Sequence, residues 1–240
     1  MTDAAAEPPS LPTFSRRRSA GQAYLVRPGD DGQGTGPGVL VLHSWWGLTA
    51  GIKDVCNRLC DEGFVVLAPD LSGGLLPETA AEAELELAQT DPNTTAGLIL
   101  SSAAALRSAT DDPDGPVAVV GFSMGASWAL WAATRQPESF HKVVAFYGTQ
   151  TIDFTDLAAD VQGHFAERDD LVSADDIVLL EADLFELGHQ PEMWHYEGVG
   201  HWFAEPGVDH HFDETAAEMA WDRMLAFLRR PSGASAYDQS

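Results

Sequence analysis

Seven short, mostly apolar runs punctuate this chain: Ala23 to Val26, Val39 to Leu42, Phe64 to Leu67, Pro116 to Val120, Val143 to Phe146, Val161 to Phe165 and Met193 to Tyr196. Stretches of helical periodicity separate most of them: Ile52 to Cys60, Glu78 to Gln89, Ala96 to Ser108, Gly125 to Thr134, Ala174 to Leu187 and Asp213 to Arg230. Strands this short and without polar alternation are buried on both faces, which predicts an α/β fold: a mainly parallel twisted sheet covered by helices on both sides. The runs 23–26 and 39–42 are expected to be neighbours in that sheet. A proline at position 116 falls on the first residue of its strand, where no interior ladder bond is lost. In the last helix Ala217, Trp221, Met224, Leu225 and Leu228 form one stripe, with acids at its start and Arg229 and Arg230 at its end.

With 240 residues, 45% of them hydrophobic, the chain can bury one full core. The reading is a single domain over residues 21–230, with flexible tails over 1–20 and 231–240 and no insertion long enough for a large lid. Thirteen Lys and Arg against 37 Asp and Glu give a formal charge of -24, a field that repels nucleic-acid phosphates and anionic lipid headgroups. Neutral or cationic small molecules fit better, and nothing in the sequence fixes an oligomeric state. No run approaches the roughly 20 apolar residues of a membrane span. Nor does a signal-length apolar stretch follow Arg16-Arg17-Arg18, so a cytoplasmic location is expected. Cys56 and Cys60 fall on one face of a helix with Ile52, Val55 and Leu59 and read as core residues.

Chemistry concentrates where the fourth apolar run ends. Gly121-Phe122-Ser123-Met124-Gly125 has the Gly-x-Ser-x-Gly spacing, a strand before it and a helix after it. That is the setting of a nucleophile elbow, a turn so sharp that side chains at the glycine positions would clash. A serine hydroxyl needs a base, and the base needs an acid to hold its tautomer. Among the histidines downstream, His201 is favoured: it lies in the glycine-bounded turn Gly198 to Phe203, just beyond the strand 193–196. The acid is expected after the strand 161–165, where Asp169 and Asp170 are both candidates. No histidine pair has ligand spacing and no phosphate-cradling loop is present, so neither a metal nor another cofactor is expected.

Taken together, Val41 to Leu48, Ala68 to Leu71, the elbow, Phe146 to Gly148, Gly163 to Val172 and Gly200 to Phe203 resemble the dienelactone hydrolase branch of the α/β-hydrolases. The resemblance spans roughly Tyr24 to Leu228. It implies that the acid is the Asp opening an Asp-x-x-Val pattern, which selects Asp169. It also implies an oxyanion hole made by the backbone N–H groups of Met124 and Trp45. Three departures stand out: the family's cysteine nucleophile is replaced by Ser123, its glutamate near the nucleophile by Ser44, and an arginine after the histidine by Glu205. An acid at 205 would repel a substrate carboxylate, which argues against the family's name reaction. Around these positions Trp45, Trp46, Tyr147, Trp202 and Phe203, with Ser44 and Glu205, supply either a substrate pocket or packing beneath the loops. The expected activity is hydrolysis of a small carboxylic ester or lactone through an acyl-enzyme. The alternatives are a thioesterase or acyltransferase, and a catalytically silent ligand-binding protein of the same fold.

Overall fold

The computed structural model describes residues 23–29, 32–208 and 210–233. The tail expected over 1–20, and residues 234–240 of the one expected at the other end, lie outside the described residues.

Among the described residues seven strands form one sheet: β1 (Ala23–Val26), β2 (Gly38–Leu42), β3 (Val65–Pro69), β4 (Val117–Phe122), β5 (Phe140–Phe146), β6 (Asp160–Arg168) and β7 (Glu192–Gly200). Their order is β1-β3-β2-β4-β5-β6-β7. Only the β1 pairing is antiparallel; every other pair is parallel. Six helices complete the fold among the described residues: α1 (Ala50–Asp61), α2 (Ala80–Gln89), α3 (Pro92–Arg107), α4 (Met124–Arg135), α5 (Ala174–Glu186) and α6 (Glu214–Arg229).

Alternate strand residues feed two separate cores, because successive side chains leave a strand on opposite faces. Val39 and Val41 join Ile52, Val55 and Leu59 of α1 and Trp221, Met224 and Phe227 of α6 on one side. Leu40 and Leu42 join Ile99 and Leu106 of α3, Leu130 of α4 and Leu180 of α5 on the other. The sheet is therefore a middle layer with helices on both faces. Every residue of β2, β3 and β4 is buried, as the absence of polar alternation requires. Of the two cysteines, Cys56 is buried and Cys60 only half so. Among the described residues no helix is long and apolar enough to cross a membrane.

Four details depart from the sequence reading. β1 is not the neighbour of β2: it pairs with β3, through Leu25 opposite Leu67, at the edge of the sheet. Both sides of β2 are already taken, by β3 and β4. α3 starts at Pro92 rather than Ala96: Asp91 caps it by accepting from the Asn93 N–H, and a proline is pre-set for the first turn of a helix. α2 starts two residues later than expected, behind a Thr79 cap. Finally, β7 does not stop at Tyr196 but runs on to Gly200. A register shift against β6 absorbs Gly198, whose φ is 76° and whose N–H donates to Glu167 Oε2. Of the six residues read as a turn, Gly198 to Gly200 are strand and His201 to Phe203 form the turn, with His201 the first residue beyond the strand end.

Candidate active site

β4 leaves the sheet at its carboxyl end and turns into α4 within one residue. Ser123 carries that turn at φ 52° and ψ -115°, a conformation that side chains rarely adopt. Its N–H donates to Phe146 O at 2.9 Å and its carbonyl accepts from the Ala126 N–H at 2.9 Å, so both flanks of the turn are pinned. Glycine is required on each side: a Cβ at Gly121 would strike the Gly125 carbonyl, and one at Gly125 would strike the carbonyls of Leu42 and His43. Among the described residues four non-glycines have positive φ, and three of them, Ser123, Tyr147 and Trp202, lie together here. Strain of order 1–3 kcal/mol per residue persists where the surroundings impose it, and it gathers at functional sites.

Two further strand ends complete the arrangement. His201, immediately after β7, places Nε2 2.7 Å from Ser123 Oγ and Nδ1 2.7 Å from Asp169 Oδ2. Asp169 directly follows β6. Its Oδ1 also accepts from the N–H groups of Leu171 and Val172, both at 2.9 Å. Burial works to raise the Asp169 carboxyl, but His201 and these two N–H groups outweigh it and hold the group below its ordinary value. An ionised Asp169 fixes the proton of His201 on Nδ1, leaving Nε2 to accept from the serine hydroxyl. Asp170, the other candidate acid, is exposed.

The turn after β2 faces this row. His43 is buried and held in one tautomer: Nε2 accepts from the Leu71 N–H at 2.9 Å, so Nδ1 carries the proton and donates to Ser44 O at 2.6 Å. Burial lowers the affinity of His43 for a second proton. Among the described residues neither the Trp45 N–H nor the Met124 N–H donates to a backbone or side-chain acceptor, which leaves both available to a ligand. Met124 is the first residue of α4, where the helix dipole favours developing negative charge.

A cavity of about 260 Å³ opens beside these residues, between the strand ends and α2 and α3. Trp45, Ser44 and Met124 line it on the sheet side, and Leu71, Leu87 and Trp128 supply much of its apolar wall. The sequence reading missed the contribution of α2 and α3, since no local signal says where an acidic, alanine-rich helix will pack. Of the pocket residues it named, Trp46, Tyr147, Trp202, Phe203 and Glu205 do not line this cavity. Trp46 and Trp202 form a cluster with Trp45, the ring centroids 5.5–5.7 Å apart. Tyr147 and Phe203 are core residues, Tyr147 packing on the His201 ring at 4.9 Å.

Glu205 is the largest surprise. Rather than presenting a charge to ligands it is completely buried, and Oε1 accepts from Ser44 Oγ at 2.6 Å. Burial pushes its carboxyl up to about 7, although the hydrogen bond from Ser44 and the closeness of the Tyr147 hydroxyl oppose the rise. Repulsion of a substrate carboxylate by an exposed Glu205 is therefore not part of this site.

Comparison with known proteins agrees with the geometry. The sequence profile of the dienelactone hydrolase family matches residues 22–232. Protein usf of Aquifex pyrophilus is 28% identical over 203 residues, covering 81% of this chain and 88% of that protein. A protein of Aquifex aeolicus provisionally named carboxymethylenebutenolidase is 28% identical over 218 residues, covering 87% and 92%. A solved structure from Klebsiella pneumoniae, provisionally described as a dienelactone hydrolase, superposes with a TM-score of 0.74 at 21% identity. That match covers 88% of this chain and 100% of the other, and at such identity it speaks for the fold. With an α/β-hydrolase sheet, an elbow at its centre and a profile match over nearly the whole sequence, this chain belongs to the dienelactone hydrolase family.

Proposed function

We propose that this protein is a serine hydrolase that cleaves a small, uncharged carboxylic ester or lactone through an acyl-enzyme on Ser123. The observation that carries the reading is the unbroken row from Ser123 Oγ through His201 to Asp169, with 2.7 Å at each of its two shortest contacts. In this account His201 Nε2 takes the hydroxyl proton as Oγ attacks the carbonyl carbon. Asp169 holds Nδ1–H and stabilises the imidazolium that forms. The N–H groups of Trp45 and Met124 receive the oxyanion, an interaction of the kind whose loss costs about 3 kcal/mol of barrier. Collapse of the tetrahedral intermediate breaks the ester C–O bond, and His201 gives its proton to the departing oxygen. Water then repeats the sequence on the acyl-enzyme, with His201 again as base, and releases the acid.

Substrate charge follows from the cavity rather than from Glu205. Among the described residues its lining includes no Lys or Arg, while Glu86 is among its walls. A carboxylate entering it would lose its hydration with no cation to receive it. A panel of neutral esters graded by acyl length, with one carboxylate-bearing ester of matched size, tests both parts. Short neutral acyl groups should be turned over best, and Ser123→Ala should lower kcat at least about 10⁴-fold. A Ser123→Ala protein that keeps its activity, or a preference for the anionic ester, would overturn the reading.

A further inference from the structure

Ser44 and Glu205 stand 161 positions apart in the chain and meet where both are fully buried. Ser44 sits on the turn that presents the Trp45 N–H, and Glu205 on the turn that follows His201. Their 2.6 Å hydrogen bond is a direct side-chain link between the two turns.

Ser44 is held at both of its acceptor atoms. Its carbonyl accepts from His43 Nδ1 at 2.6 Å and from the Gly47 N–H at 3.2 Å. Its hydroxyl oxygen accepts from the Trp46 N–H at 3.3 Å and donates its proton to Glu205. The peptide between Ser44 and Trp45 is planar and trans, so fixing the Ser44 carbonyl fixes the Trp45 N–H in the opposite direction. Glu205 is anchored in turn: its N–H donates to Trp202 O at 3.0 Å and its carbonyl accepts from the Val208 N–H at 3.3 Å.

Packing alone does not account for this glutamate. Its Oε2 has no hydrogen-bond partner among the described residues, and neither does the neighbouring Tyr147 hydroxyl. A buried carboxyl with an unpaired oxygen is costly, and an apolar side chain of similar size would fill the same space more cheaply. What the carboxyl supplies that an apolar residue lacks is an acceptor aimed at Ser44.

We propose that Glu205 is a positioning residue: acting through Ser44, it locks the oxyanion turn to the histidine turn, so that the Trp45 N–H and His201 Nε2 keep one fixed separation across the reacting carbonyl. It does not touch the substrate, being fully buried and outside the cavity wall. This inference rests on the reading of Ser123 as nucleophile and Trp45 N–H as oxyanion donor.

The test compares Glu205→Leu, Ser44→Ala, the double variant and Glu205→Gln, with kcat expressed per Ser123 site titrated by a fluorophosphonate. Counting active sites removes any change caused only by a smaller folded fraction. Glu205→Leu and Ser44→Ala should each lower kcat by about 10- to 100-fold while KM stays within about threefold, the pattern of a misplaced group that acts in the transition state. The double variant should be no worse than the poorer single one, because both remove the same link. Glu205→Gln keeps an acceptor oxygen for Ser44 and should recover most of the loss. Single variants with kcat per site within threefold of the parent would overturn the proposal, as would losses that multiply in the double variant or a Gln variant as impaired as the Leu variant. Ser123→Ala, assayed per mole of folded protein, separates the two levels: if it is inactive while Glu205→Leu and Ser44→Ala are unaffected, this proposal falls alone, and if it is as active as the parent both fall.

Discussion

Replacing Glu205 by Gln should stabilise the protein by an amount that grows with pH. The folded state holds the Glu205 carboxyl at about 7, against an ordinary value of 4.5, because burial penalises its charge. Below 4.5 the group is protonated in both folded and unfolded chains and costs nothing. As pH rises from 4.5 to 7 the unfolded chain releases a proton that the folded state keeps, so the protein loses stability over that window and the penalty is complete above it. The gap corresponds to about 3 kcal/mol. Gln has the same shape, stays neutral and still accepts from Ser44, so it escapes the penalty. About 2.5 kcal/mol of it develops between pH 5 and pH 8; for a chain of this size each kcal/mol moves Tm by roughly 2–4 °C, so the Tm advantage of the variant should widen by roughly 5–10 °C over that range. The buried histidines and Asp169 titrate in both proteins and cancel in the difference. Thermal unfolding followed by circular dichroism across that range reads the effect. An advantage that is flat with pH, or that narrows as pH rises, would refute the reasoning.

Three other perturbations have defined outcomes. Asp169→Asn should leave His201 near its place but favour the wrong tautomer, lowering kcat by about 10⁴-fold with little change in KM, as steady-state kinetics on a neutral ester would reveal. Gly125→Ala puts a Cβ against the carbonyls of Leu42 and His43, and denaturant unfolding should record a loss of about 3 kcal/mol or no folded protein at all. His164 is buried between Tyr196 and Gln162, and burial pushes it down to about 3. Because the unfolded chain takes up that proton first, this group withdraws stability as pH falls from 6.5 toward 3, so His164→Gln should flatten the acid limb of the stability profile in that interval.

What the sequence made legible was whatever local chemistry dictates. Strands buried on both faces announce themselves as apolar runs, and the glycines around Ser123 are there because no other residue fits the turn. The order of serine, acid and histidine along the chain followed from the parallel sheet, whose carboxyl ends must supply all three. Long-range partnership was harder to read. Nothing in Ala23 to Val26 says that it will pair with β3 rather than β2, since either neighbour accepts an apolar edge strand. Gly198 and Gly200 suggested a turn, whereas a bulge lets β7 continue through them and delivers His201 from a strand end. The Asp91-Pro92 start of α3 was present in the sequence but hidden by the polar residues that follow. Glu205 was misjudged for a clear reason: an acidic residue beside a site is ordinarily solvated, whereas this one is buried with its hydrogen bond supplied by the hydroxyl of Ser44, 161 positions away.

Covalent labelling reads most directly whether Ser123 is a nucleophile activated by His201. The native protein is treated with a fluorophosphonate, and the intact mass and the modified peptide are determined by mass spectrometry. One adduct per chain is expected, located on Ser123, absent after heat denaturation and formed at least about 10³-fold more slowly in His201→Ala. Labelling no greater than in the heat-denatured control, or an adduct on a different residue, would contradict it.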